Sequence, residues 1–234
     1  MRVIAGIAAV PVLLVGWLWH VDRSIENRLA PIASAVAGRD VKVSCQGFFG
    51  ELFDADAVAG HVRGDANGVP EAGLHLDRQQ CSRLRAFSRN DRHPELECLA
   101  SFDWTRPSGA YATTPCFREA EPTVVALLIL AHEAYHTAGM FVESYTNCYA
   151  MQSMAYVAVE LGASERDGAL AALAFSVMLP GQGPQYGMDG CVRGSKFDLF
   201  PETPEFPSEI PVRPTLGKGG MPGVASGAVA PPLT

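Results

Sequence analysis

An α+β fold is the class this sequence predicts: a helix-rich core preceded by a smaller, loop-rich, disulfide-tied part, with one transmembrane helix at the amino terminus. Three observations predict it. Residues 122–180 read as successive apolar helices, residues 40–120 carry short apolar runs between turn signals, and six cysteines are spread over both parts. A chain of 234 residues supports one domain with appendages and can bury a core. The formal charge of −7, with no basic block, argues against a nucleic-acid partner. Hydrophobic residues make up 48% of the chain, which excludes wholesale disorder.

Taken in order, residues 1–20 form the first element. Val3 to Trp19 is an uncharged run of 17 residues, preceded by Arg2 and followed by Asp22, Arg23, Glu26 and Arg28. That length is the short end of what spans a bilayer as a helix, and Trp17 and Trp19 sit where interfacial aromatics belong. No small-residue cleavage site follows closely, since Ala33-Ser34-Ala35 lies too far downstream. The segment therefore reads as a retained signal anchor: a single pass in the cell membrane with the remainder extracytoplasmic. If it is cleaved instead, the remainder is secreted.

Residues 21–39 read as a juxtamembrane helix, with Val21, Ile25, Leu29 and Ile32 at helical spacing. Residues 40–210 form the exported domain. Strands are expected at 41–45 and 57–62, and a short helix around 77–87. A buried helix is expected to open at Pro122, because Val124, Leu127, Leu128, Leu130 and Ala131 are apolar nearly all round, and to end at Gly139. A second helix runs from about Val142 to Leu161 and stops at Gly162; a third starts at the cap-like Ser164 and reaches about Met178. Residues 211–234 are rich in Pro and Gly and read as a disordered tail.

Cys45, Cys81, Cys98, Cys116, Cys148 and Cys191 are even in number and form no close CxxC pair, which excludes a zinc ribbon or thioredoxin-like site. In an exported protein they imply three disulfides. Six cysteines allow 15 connectivities; sequential pairing gives Cys45–Cys81, Cys98–Cys116 and Cys148–Cys191.

The chemistry lies in His132-Glu133-Ala134-Tyr135-His136, an HExxH motif on the expected buried helix. Residues i and i+4 share one face, so His132 and His136 can offer imidazole nitrogens to one metal, zinc by preference. Glu133 falls beside the metal as general base toward water activated on it. A third protein ligand is needed. Glu143, seven residues past His136 and across the Gly139 turn, is the leading candidate, unless it only caps the next helix. His61, His75, His93, Asp189 and Asp198 rank below it. Tyr135, Tyr145, Tyr149 and Tyr186 are candidate oxyanion stabilisers.

The segment from His132 to Gln152 resembles the zincin metallopeptidases, and within them the gluzincin type, in which a Glu on the next helix completes the HExxH site. Val142 stands where metzincins carry their third histidine, so that branch fails. Glu143, Cys148, Tyr149, Ala150 and Gln152 are similar to a pattern in exported zincin-like proteins of high-GC bacteria, as are Cys191 and Asp198 to Pro201. The resemblance, carried by about 20 residues, implies that the exported domain at 40–210 is zincin-like, with zinc on His132, His136 and Glu143 and with Glu133 as base. It names no substrate. The expected function is a membrane-anchored, extracytoplasmic zinc metallopeptidase acting on a peptide or protein of the cell envelope. The alternative is a non-catalytic, disulfide-stabilised envelope scaffold or binding protein with a degenerate zincin fold.

Overall fold

The computed structural model describes residues 23–46, 60–64, 70–90, 92–102, 104, 113–178 and 190–202. The expected signal anchor at 1–20 and the expected tail at 211–234 lie outside the described residues. No helix among the described residues is long and apolar enough to cross a membrane.

Helix α1 runs through residues 23–37 and buries Ile25, Leu29, Ile32, Ala33 and Val36, the stripe that the spacing predicts. Strands β1 (Lys42–Cys45), β2 (Gly60–Gly64) and β3 (Pro70–Leu76) form a three-stranded sheet of order β1-β3-β2. β1 pairs with β3 in parallel, Val43 opposite Leu74, and β2 pairs with β3 antiparallel, His61 opposite His75. The sheet turns Leu74 and Leu76 inward with no exposure. β3 is a central strand that the sequence reading does not find. Its opening Pro70 and interior Gly73 are turn signals, yet proline is tolerated at a strand's first residue because no ladder donor is missed there.

Helix α2 (Arg78–Phe87) starts where Asp77 accepts a hydrogen bond from the Gln80 N–H at 2.6 Å. A short α3 (Pro94–Glu97) runs into a 3-10 turn at Cys98–Ser101. Helix α4 spans Pro115–Thr137. Its start corrects the expectation of Pro122. The Thr114 hydroxyl accepts from Phe117 N–H and Pro115 occupies the first turn, so the cap lies seven residues upstream and Pro122 is inside the helix. Burial of Phe117, Ala120 and Val124 on either side offsets the backbone bond that an interior proline forfeits. Helices α5 (Glu143–Glu160) and α6 (Glu165–Met178) follow the sequence reading closely, and Ser164 Oγ accepts from Asp167 N–H as the cap of α6.

α4 is the centre of the fold. It packs on α2, α5, α6, β2 and β3, and Leu127, Leu130 and Ala131 are fully buried. All three disulfides join nearest neighbours in sequence, as sequential pairing gives. Cys45–Cys81 ties β1 to α2, Cys98–Cys116 ties the 3-10 turn to α4, and Cys148–Cys191 ties α5 to the 190–202 loop. Two arginines, one on α1 and one just after it, tie this part of the chain to its neighbours. Arg28 donates to Ser88 O and Leu161 O, both at 3.0 Å, and Arg39 donates to Thr137 O at 2.9 Å, a carbonyl at the end of α4. A guanidinium there satisfies a leftover carbonyl and complements the negative end of the helix dipole. That end carries the HExxH motif.

Candidate metal centre

The last two turns of α4 present His132 and His136 on one face, their rings edge to face with centroids 4.5 Å apart. The chain then reverses through Gly139, whose φ of +91° is a conformation that side-chain-bearing residues rarely adopt. Met140, Phe141 and Val142 lead directly into Glu143, the first residue of α5.

That reversal folds Glu143 back onto both imidazoles. Its Oε2 lies 3.1 Å from His132 Nε2, and its Oε1 lies 3.5 Å from His136 Nε2. Glu143 stands in the first turn of α5, where a carboxylate complements the helix dipole, and it also reaches across to the preceding helix. Metal-ligating atoms of His132, Glu133 and His136 also lie within 4.8 Å of one another, so this group can hold a metal ion.

The supporting hydrogen bonds favour a metal. His136 Nδ1 sits 2.5 Å from Met140 O. A carbonyl can only accept, so Nδ1 carries the proton, and in the neutral ring Nε2 keeps a lone pair. That lone pair faces a carboxylate oxygen. Two acceptors turned toward each other suit a cation between them, and two imidazoles with one carboxylate form a donor set fit for zinc. His132 points the same way. Burial, then the neighbouring His136, lowers its pKa to about 4, so it is neutral over the physiological range. A hydrogen bond to the Asn147 side chain, one turn past Glu143, partly offsets the shift by favouring the protonated ring, although His132 Nδ1 itself has no well-aligned partner.

Glu133 sits beside this group, 7% exposed, and its Oε2 is buried with no hydrogen-bond partner among the described residues. Burial, then the charge of Glu143, raises its pKa to about 8. A carboxyl so placed can hold and release a proton near neutrality. Its side chain is shaped by β2. A Cβ on Gly60 would lie 2.7 Å from Glu133 Cγ and 3.0 Å from Ile129 Cγ2. Phe141, 58% exposed, stacks beside His136 with ring centroids 6.3 Å apart and forms an apolar rim.

The remaining candidates lie elsewhere. Tyr135 spends its hydroxyl on Ser153 Oγ at 2.8 Å, and burial raises its pKa to about 12. Tyr145 and Tyr149 pack against Phe197. Asp198 accepts from Gly194 N–H and Phe200 N–H, closing its own loop. His93 is buried against the Phe87 ring, and His61 and His75 pair across the sheet. Tyr186 and Asp189 lie outside the described residues. Sequence reasoning does not reach Gly60, Arg39 or the Met140 carbonyl. Gly60 carries no local signal, because its importance comes from a helix far along the chain. No protein-family model matches the chain, and neither a curated protein nor a solved structure matches it.

Proposed function

We propose that the chain is a membrane-anchored, extracytoplasmic zinc metallopeptidase with a zincin-like core, acting on a peptide or protein of the cell envelope. The observation that carries this reading is the Glu143 carboxylate spanning His132 Nε2 and His136 Nε2, with the buried Glu133 carboxyl alongside. His132, His136 and Glu143 would hold the ion. Zinc there supplies Lewis acidity, polarising a substrate carbonyl and lowering the pKa of water to about 7.

The chain's own residues do the rest. Glu133 takes a proton from the attacking water and passes it to the leaving amine, a task for which a proton affinity near neutrality is suited. Met140 O fixes the His136 ring through Nδ1. β2 is an edge strand among the described residues, and Gly60 brings its backbone against Glu133. An extended peptide added along that edge would run past Glu133, with backbone hydrogen bonds giving affinity independent of sequence. The exposed Phe141 and Val142 beside Glu143 favour apolar substrate side chains there. Residues 1–20 would supply the anchor.

The test pairs metal content with hydrolysis of an unstructured protein, in wild type and in Glu133→Gln. One zinc per chain, kept by the variant while hydrolysis falls at least a hundredfold, is the expected result. A folded wild type that takes no zinc sinks the reading and leaves the envelope scaffold. Hydrolysis unchanged in Glu133→Gln removes Glu133 as base.

A further inference from the structure

We propose a second metal site, on the face of the sheet turned away from α4, where His61 and His75 take one divalent transition-metal ion, copper(II) above others. The two residues are directly opposite in the antiparallel β2–β3 pair. Their rings are stacked, with centroids 4.9 Å apart and planes inclined by 14°. Strand alternation sets the face. Leu74 and Leu76 are fully buried toward the helices, so His75 between them points the other way. Gly60 meets Glu133, so His61 beside it also points away.

The third strand orients the pair. Ser44 on β1 is the register partner of His75, and its Oγ lies 2.6 Å from His75 Nδ1. With Nδ1–H donating to that hydroxyl, Nε2 carries the lone pair, the arrangement in which an outer partner fixes a ligating imidazole. His75 keeps its ring on Ser44, and the broad terminal ring torsion of His61 lets that side chain turn a nitrogen onto an ion at His75 Nε2 without leaving its strand. A pair of imidazoles suits copper, nickel and zinc, and copper(II) binds tightest in the divalent series.

The site has a structural consequence. An ion held by His61 and His75 pins β2 to β3, and β2 brings Gly60 against Glu133 on the opposite face. The second ion would steady the strand that borders the first site, whatever chemistry that site performs.

The experiment is a Cu2+ titration against a competing chelator, using the full-length chain, two single variants His61→Asn and His75→Asn, the double variant His132→Asn/His136→Asn, and Ser44→Ala. Each single variant is expected to bind one equivalent fewer than wild type. The double variant should keep an ion whose electron paramagnetic resonance shows two equatorial imidazole nitrogens. Ser44→Ala should weaken that ion's binding roughly tenfold. Wild-type stoichiometry in either folded single variant overturns the proposal. So does a double variant whose copper lacks the two-imidazole signature.

Discussion

Gly60 and Glu133 touch so closely that a methyl group on the glycine would stand 2.7 Å from Glu133 Cγ. The strand edge and the general-base candidate therefore share one volume. Glu133 is 7% exposed and cannot retreat into solvent. Gly60→Ala should push its carboxyl off station, at a cost of about 1–3 kcal/mol of stability from overpacking. Hydrolysis should fall at least tenfold while zinc stoichiometry is unchanged, because the atoms nearest the added methyl belong to Glu133 and Ile129. Metal analysis beside a peptidase assay checks it; loss of zinc in a folded Gly60→Ala protein would contradict it.

The Glu143 carboxylate meets both imidazoles, and no other acid on α5's first turn can replace it. Glu143→Ala should weaken zinc at least a hundredfold by competition titration, while its thermal unfolding in chelator stays within a few degrees of wild type. The side chain is 38% exposed and stands at a helix start, where a lost carboxylate costs only about 0.3–1 kcal/mol. Unchanged zinc affinity would move the third ligand to Glu133 or elsewhere.

Much of this arrangement is legible in sequence because local physics writes it. His132 and His136 are one helical turn apart by spacing alone, and Gly139, Ser164 and Gly162 mark helix ends by their backbone and capping chemistry. Short loops also favour nearest-neighbour cysteine pairing, and all three disulfides follow it. What stays hidden is set by distant partners. Pro122 carries the signal of a helix start, but Thr114 and Pro115 carry it too, and burial of Phe117 decides between them. Pro70 and Gly73 read as turn residues until β1 and β2 flank them. Gly60 is silent until α4 arrives.

The disulfides differ in the loops they close, and that difference is measurable. Cys148–Cys191 spans 43 residues and Cys98–Cys116 spans 18. Chain entropy makes the longer loop more stabilising by about 0.8 kcal/mol, within a total of about 3–4 kcal/mol for each. Paired Cys→Ser variants, unfolded in denaturant, should therefore lose more from 148/191 than from 98/116. Gln152 limits the local damage: it donates to Phe197 O at 2.8 Å and accepts from Leu199 N–H at 2.7 Å, holding the loop on α5 without the sulfur bond. Equal losses would show that the loop-length entropy of the unfolded chain does not set the difference between the two disulfides.

Metal-free protein should lose stability on the alkaline side, and the sign follows from two buried groups. The Glu133 pKa rises from 4.5 to about 8, so between those values the folded state holds a proton that the unfolded state has lost. That contribution is complete below pH 4.5 and drains away as pH rises through 8. The His132 pKa falls from 6.5 to about 4, so there the unfolded state binds more protons and stability rises with pH across that window. The two slopes oppose each other between 4.5 and 6.5 and nearly cancel. From 6.5 to 8 only Glu133 remains, at about 1.4 kcal/mol per pH unit, so the chain should lose about 2 kcal/mol. Denaturant unfolding in chelator at pH 6.5 and 8 measures this directly. Glu133→Gln carries no titrating proton and should abolish the alkaline loss; a variant that falls as steeply as wild type would assign the slope to another group.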